Sequence, residues 1–248
     1  MFQSPYIIGD RLNTSNCLTK QAVGICDLST LAAMGTMQIV NGAHAIDVTA
    51  CASGPREQQD LHTILQSLRP AGKIVCSIDT QDPKLIAEAR SRLAEPPILN
   101  CYSGLLDSLP EMQEAIRSAF PIAGVIAVCI DFAGANVMPA RRLDIAKRMA
   151  AELTDAGVAS EQIIFDPVTM PTSAGPKAEQ VTLDTIRLLR HVFPNSGVLC
   201  AVSNYSYGLT KRRMVEREYV KRAKSYGATV FLLNALDEKL CATVRGTR

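Results

Sequence analysis

One pattern runs the length of the chain: a short apolar, β-branched run, a polar loop, then a stretch whose apolar positions recur at helical spacing. The strand-like runs fall at 6–9, 44–50, 73–79, 97–102, 124–131, 162–168, 198–205 and 229–234. Between them, Asp82-Pro83 offers an N-cap and a proline at the first helical position, followed by Leu85, Ile86, Ala89 and Leu93 on one face. Further helices are predicted over 140–156, stopped by Gly157, and over 178–193, ended by Pro194. Several strands, GVIAVCI, QIIF and TVFLL among them, are apolar throughout, as a sheet covered on both faces requires. Strand alternating with helix predicts parallel pairing with right-handed crossovers. Eight repeats favour closure into a single (β/α)8 TIM barrel over an open doubly wound sheet.

Length agrees with that choice: 248 residues is close to the ~250 one such barrel takes. No linker, low-complexity tract or charge block divides the chain, so 1–248 reads as one domain. Aromatics are only 5% and Trp is absent, which leaves aliphatic side chains to fill the core. A formal net charge of +2 makes no case for nucleic acid or for an acidic membrane surface. The most apolar uninterrupted stretch, 120–130, is too short to span a bilayer, and the N-terminus lacks a signal-peptide pattern. None of the eight cysteines forms a CxxC pair, and Cys76, Cys129 and Cys200 lie inside apolar strands. Reduced thiols and a cytoplasmic location are expected.

The chemistry gathers where strands end. Asp47 closes HAID, Asp79 KIVCSID, Asn100 PILN, Asp131 GVIAVCID, Asp166 QIIFD, Asn204 VLCAVSN and Asn234 TVFLLN, while Asn13 follows the first strand. In a barrel these positions converge on the C-terminal rim, where barrel enzymes keep their sites. Any one of them is equally well a helix cap or a turn former. Seven strands ending this way exceed what capping explains, because a cap normally sits further on, beside its helix. Carboxylates accept paired hydrogen bonds and carboxamides both donate and accept, a set that matches the edge of a flat heterocycle with amine, ring N–H and carbonyl. GxGxxG, Walker A and GxSxG motifs are absent, and the loops SNYSYGL and NALDEKL lack a glycine-rich phosphate cradle. His44, His62 and His191 show no metal-ligand spacing, so no metal site is expected.

The segments IIGDRLN, GAHAIDV, CSIDT, ILN, FDPVTMP and VSNYSYGL, in this order, resemble the pterin-binding barrel family. The likeness is nearest to methyltetrahydrofolate:corrinoid methyltransferases and the folate domain of cobalamin-dependent methionine synthase. It implies that Asp79, Asn100 and Asp166 grip the pterin ring and that Asn204 lies at N5, beside the methyl being transferred. Asn13 and Asp47 would complete the polar network around them. The implied substrate is tetrahydrofolate or 5-methyltetrahydrofolate, and the implied activity moves a methyl group between N5 and the cobalt of a corrinoid, in either direction. Asp60-Leu61-His62 opens like the corrinoid-binding signature, but Leu65 stands at its glycine position. The corrinoid would therefore arrive on a separate protein; relatives also imply a homodimer.

Two departures stand out. The family usually has Glu where Asp10 stands, and Asn where Thr49 stands. Dihydropteroate synthases share the barrel but carry Lys near the end of strand seven and a basic pair after strand eight. Here those places read Asn204-Tyr205-Ser206-Tyr207 and Asn234-Ala235-Leu236-Asp237. A synthase-like enzyme and a non-catalytic pterin-binding protein are the alternatives. The basic stretch from Lys211 to Lys224 is read as a solvated helix face before a docking or folate-tail site. Met138-Pro139 and the loop 170–176 are candidate rim lids.

Overall fold

A computed structural model describes residues 2, 5–105, 109–132, 134 and 138–247. Eight parallel strands close on themselves in chain order: β1 Tyr6–Asn13, β2 Ala45–Thr49, β3 Val75–Asp79, β4 Ile98–Ser103, β5 Gly124–Val128, β6 Ile163–Asp166, β7 Gly197–Ala201 and β8 Val230–Leu233. Tyr6 pairs with Val230 to seal the ring. The chain is a (β/α)8 barrel, as its periodicity predicts. The helices are α1 Cys17–Gly24, α2 Leu28–Val40, α3 Glu57–Leu68, α4 Pro83–Arg92, α5 Leu109–Ala119, α6 Pro139–Asp155, α7 Pro176–Val192, α8 Val202–Tyr205, α9 Arg212–Tyr226 and α10 Glu238–Arg245. Among the described residues, no helix is long and apolar enough to cross a membrane.

Local chemistry sets the helix ends where the sequence places them. Asp82 accepts from the Lys84 N–H with Pro83 at the first turn of α4. Gly157 follows α6 at φ 90°, a left-handed conformation that favours glycine.

Strand alternation sorts the side chains into two cores. Outward residues such as Ile46, Val48, Cys76, Ile78, Phe165 and Cys200 pack in the large cluster beneath the helices. Inward residues Tyr6, Ile8, Ala45, Ile98, Ile126, Ile164, Leu199 and Val230 form a second cluster inside the barrel, joined by Phe2. Phe2 is fully buried and meets Tyr6 edge-on at 4.9 Å. A Cβ at Gly124 or Gly197 would stand 2.9 or 2.8 Å from Phe2 atoms, so both strands need glycine there. The barrel floor is therefore apolar and closely packed. One step further along β1, β2, β3, β4 and β6 the inward positions turn polar, at Asp10, Asp47, Ser77, Asn100 and Asp166, and that change of layer creates the site.

Several strand ends and rim positions differ from the expected ones: β1 runs on past Gly9 to Asn13, and β6 stops at Asp166. β2 continues two residues past Asp47, which places Asp47 inside the barrel instead of on its rim. β5 stops at Val128, leaving Asp131 in the following loop. β7 stops at Ala201, and residues 202–205 wind into the single turn of α8. The cause of that turn is Tyr205, whose ring stacks on Tyr219 of α9 at 3.8 Å. Its hydroxyl donates to Glu179 at 2.6 Å. A straight strand, on which 203 and 205 share a face, cannot send Tyr205 outward to α9 while keeping Ser203 on the cavity wall.

Candidate functional site

Period-two alternation carries Asp47 and Thr49 of β2, Ser77 and Asp79 of β3, Asn100 of β4 and Asp166 of β6 onto the inner face, above the apolar floor. They meet at the base of a cavity of about 580 Å³ open at the C-terminal rim. Asn13, Asp47, Asp79, Asn100, Asp166 and Asn204 all line it. Six of the eight polar positions read from the strand ends are thus brought together.

The hydrogen bonds form one network on the β2–β4 side. Asp47 Oδ1 accepts from Ser77 Oγ at 2.6 Å and from Asn100 Nδ2 at 3.1 Å. Thr49 Oγ1 lies 2.9 Å from Asp47 Oδ2 and 3.0 Å from Asp79 Oδ2. Asn100 gives one N–H to this network, so its carbonyl oxygen and second N–H remain for a ligand. Burial pushes the Asp79 carboxyl up to about 7; the Asp47 charge adds to the rise, and a hydrogen donated by Thr49 to the ionised carboxyl would oppose it. Burial raises Asp47 as well, against the pull of Ser77, Asn100 and Thr49.

Asp166 stands opposite, held by its own loop. Val168, at φ 64°, occupies the left-handed region, which strains a β-branched residue. That turn lets the Val168 N–H donate to Asp166 Oδ1 at 2.7 Å. The Val168 carbonyl accepts from Arg142 Nη1 at 3.0 Å and from Thr182 Oγ1 at 3.2 Å. Arg142, 1% exposed, also donates to the Pro167 carbonyl. A buried guanidinium thus underpins the loop and the carboxylate. Burial lifts Asp166 to about 6, opposed by the Val168 N–H and the Arg142 charge.

At the mouth, α8 presents Asn204, which is exposed and free of the strand ladder. This turn is pinned from two sides. Ser203 Oγ donates to Asp10 Oδ2 on β1. Arg212 at the start of α9 donates to the Ser203 carbonyl at 3.0 Å and to Ser206 Oγ at 2.9 Å, and pairs with Glu216 at 3.4 Å. Asp10 is raised to about 6 by burial, with the Ser203 hydroxyl and the Arg11 charge opposing.

Two strand-end residues lie elsewhere. Asp131 pairs with Arg141 of α6 at 2.5 Å. Asn234 accepts from the Leu236 N–H at 3.1 Å and sits in a side recess of about 130 Å³. Asp10, Arg11, Ser203, Tyr207 and Arg212 line the main cavity without having been assigned to it from sequence. Asp10 and Arg11 lie within GDRLN, and Ser203 and Tyr207 within SNYSYG, so motif membership was the available signal. Arg212 opens the basic stretch, whose other members behave mostly as an outer helix face. Lys221 pairs with Glu218 at 2.7 Å, Arg222 with Glu179 at 2.8 Å and Arg213 with Asp237 at 3.6 Å. His44 is structural: its Nδ1 accepts from the Ile7 N–H at 3.0 Å and its ring stacks on Tyr6 at 4.7 Å. Met138-Pro139 begins α6, and Thr172–Ala174 form a short 3-10 turn before α7.

Known proteins carry the same frame. The chain is 21% identical over 241 residues to the methylcorrinoid:tetrahydrofolate methyltransferase of Eubacterium limosum, covering 97% of this chain and 89% of the relative. Its fold is similar to the Xanthomonas albilineans dihydropteroate synthase with 4-aminobenzoic acid, at a TM-score of 0.75 and 16% identity over 99% of this chain and 93% of that one. It is also similar to the Yersinia pestis DHPS with a pterine-sulfa conjugate, at a TM-score of 0.67 and 15% identity over 99% and 94% of the two chains. The sequence model described as pterin binding enzyme matches residues 9–239, a span that includes every residue of the cavity named above. The chain belongs to the pterin-binding enzyme family.

Proposed function

We propose that the protein moves a methyl group between N5 of tetrahydrofolate and the cobalt of a corrinoid carried by a separate protein. The observation that carries this reading is Asn204, held by a pinned helical turn on the same cavity that the Asp/Asn base lines. A neutral amide there suits a nitrogen whose charge changes, because it accepts from a protonated N5 and donates to a neutral one. The relative's name supports the same activity.

The remaining residues fit a folate. A cavity of about 580 Å³ has the size of a small-molecule site. Asp166, when ionised, accepts from the 2-amino group and the adjacent ring N–H together. Asn100 offers the carbonyl and N–H its bond to Asp47 leaves over. Asp79 faces the opposite ring edge, and Asn13 lines the wall. Seated so, the ring would present N5 toward Asn204. The chain then aligns methyl and acceptor for in-line displacement and stabilises the charge change at N5. Cobalt, when the partner brings it, supplies the nucleophile or the methyl. Phe132, Met138 and Tyr207 are each about two-thirds or more exposed on loops of the same face, which suits the docking of such a carrier.

Where a synthase would carry its lysine near the end of strand seven, this chain reads Asn204-Tyr205-Ser206-Tyr207, without a basic group. Methyl exchange between 5-methyltetrahydrofolate and free cob(I)alamin tests the proposal: transfer supports it, and folate binding without transfer removes it.

A further inference from the structure

The hydroxyl of Thr49 touches two carboxyl oxygens, Asp47 Oδ2 at 2.9 Å and Asp79 Oδ2 at 3.0 Å. A hydroxyl has one hydrogen to give. With both carboxylates ionised, one of these oxygen pairs would hold no hydrogen and would repel. Both contacts are satisfied when one carboxyl is protonated and donates to Thr49, while Thr49 passes its own hydrogen to the other.

The donors decide which end is which. Asp47 already accepts from Ser77 and Asn100 at its other oxygen. A third donor from Thr49 makes Asp47 the ionised end. Asp79 has Thr49 as its side-chain partner, with Glu57 of α3 adding negative charge beside it. We infer that the ligand-free site stores one proton on Asp79, oriented through Thr49 toward Asp47. Thr49 is then a positioning residue that sets what Asp79 offers a ligand.

The surroundings agree. The groups acting on the pair are Asp10 of β1, Glu57 of α3, and the thiols of Cys51, Cys76 and Cys101, with Asp166 across the cavity near Cys101. Burial pushes all three thiols up to about 12, so they stay neutral. The carboxylates of Glu57 and Asp10 favour keeping the proton, while Arg11 and Arg212, cations on the β1 and α9 walls of the same cavity, work against it. A neutral Asp79 still accepts a ring N–H at its carbonyl oxygen. A ligand that strengthens that bond, or brings positive charge, frees the proton.

This inference deepens the pterin-site reading but is tested without ligand, so either can fail alone. The experiment is a pH titration of ligand-free protein with 13C-labelled aspartate carboxyls, followed by NMR. A carboxyl with a midpoint near 7, missing in Asp79→Asn, is the expected result. Thr49→Val removes the acceptor of the Asp79 proton and should lower that midpoint by about a unit or more, whereas a Thr49 that only donates to ionised Asp79 would make the midpoint rise; Thr49→Ser should restore it, with circular dichroism showing the fold retained. If Asp79→Asn fails to fold, the Val and Ser pair still reads the bridge. An Asp79 midpoint near the usual carboxylate value, or one that Thr49→Val leaves unmoved, overturns the inference.

Discussion

Ser203 on α8 donates its hydroxyl to Asp10 on β1, tying the turn that carries Asn204 to the first strand of the barrel. The bond joins residues 193 positions apart in sequence. It explains how an exposed amide on a four-residue helix can be held in place. Ser203→Ala should lower the methyl-transfer rate by ~10–100-fold, the scale on which misplaced groups lose rate. Tetrahydrofolate binding should stay within a few-fold. Asp10→Asn, which keeps the size but weakens the acceptor, should do the same in milder form. Single-turnover rates beside equilibrium binding check this; equal losses in both would assign the pair to ligand binding instead.

The buried carboxyls tie stability to pH. Asp10, Asp79 and Asp166 are raised to about 6, 7 and 6. A carboxyl raised in the folded state gives stability that is fully present below its unfolded value near 4 and is lost as pH rises through the folded value. Ligand-free protein should therefore lose stability between pH 5 and 8, by an amount on the order of a few kcal/mol. Urea unfolding at several pH values measures it. Asp79→Asn should flatten the curve and raise stability at pH 8, whereas stability rising from pH 5 to 8 would contradict the assignment.

Asp166 should govern ligand affinity and its acid limb. Its ionised form is the one that accepts two donors, so tetrahydrofolate binding should weaken as pH falls below about 6. Asp166→Asn, with one acceptor oxygen instead of two, should cost ~10–100-fold in affinity, in keeping with the loss of a charge-assisted pair. Isothermal titration across pH 5–8 reads both effects.

Arg142 should matter for folding more than for chemistry. Its guanidinium holds the Pro167 and Val168 carbonyls and adds positive charge near Asp166. Arg142→Met leaves those acceptors buried without their donor and should destabilise by ~3–5 kcal/mol. The Asp166 midpoint should rise as well. Urea unfolding gives the first number and an NMR titration the second; a change within ~0.5 kcal/mol would mean the loop holds itself.

The barrel was legible because eight apolar runs alternate with helical stretches, and the inner-face acids because strand period is strict. The failures have local causes. Asn204 lies on a helical turn because Tyr205 is drawn outward to Tyr219 and Glu179, a long-range contact that periodicity does not encode. Asp131 ends a strand-like run without a role that the sequence assigns, and Arg141 ten positions on takes it as an ion-pair partner. Arg212 sits among basic residues that mostly face outward, and only the geometry of α8 shows that it turns inward to Ser203 and Ser206. Thr49 reads from sequence as a mere departure from the usual Asn; its bridging role needs β2 and β3 in register, with Thr49 beside Asp79.

The most direct measurement is single-turnover methyl transfer between 5-methyltetrahydrofolate and cob(I)alamin, in wild type and Asn204→Ala. The wild type should transfer methyl, and the variant should lose ~10²–10³ in rate while still binding folate within a few-fold. Wild-type protein that binds folate but moves no methyl, or a variant that transfers as fast as wild type, would contradict the role given to Asn204.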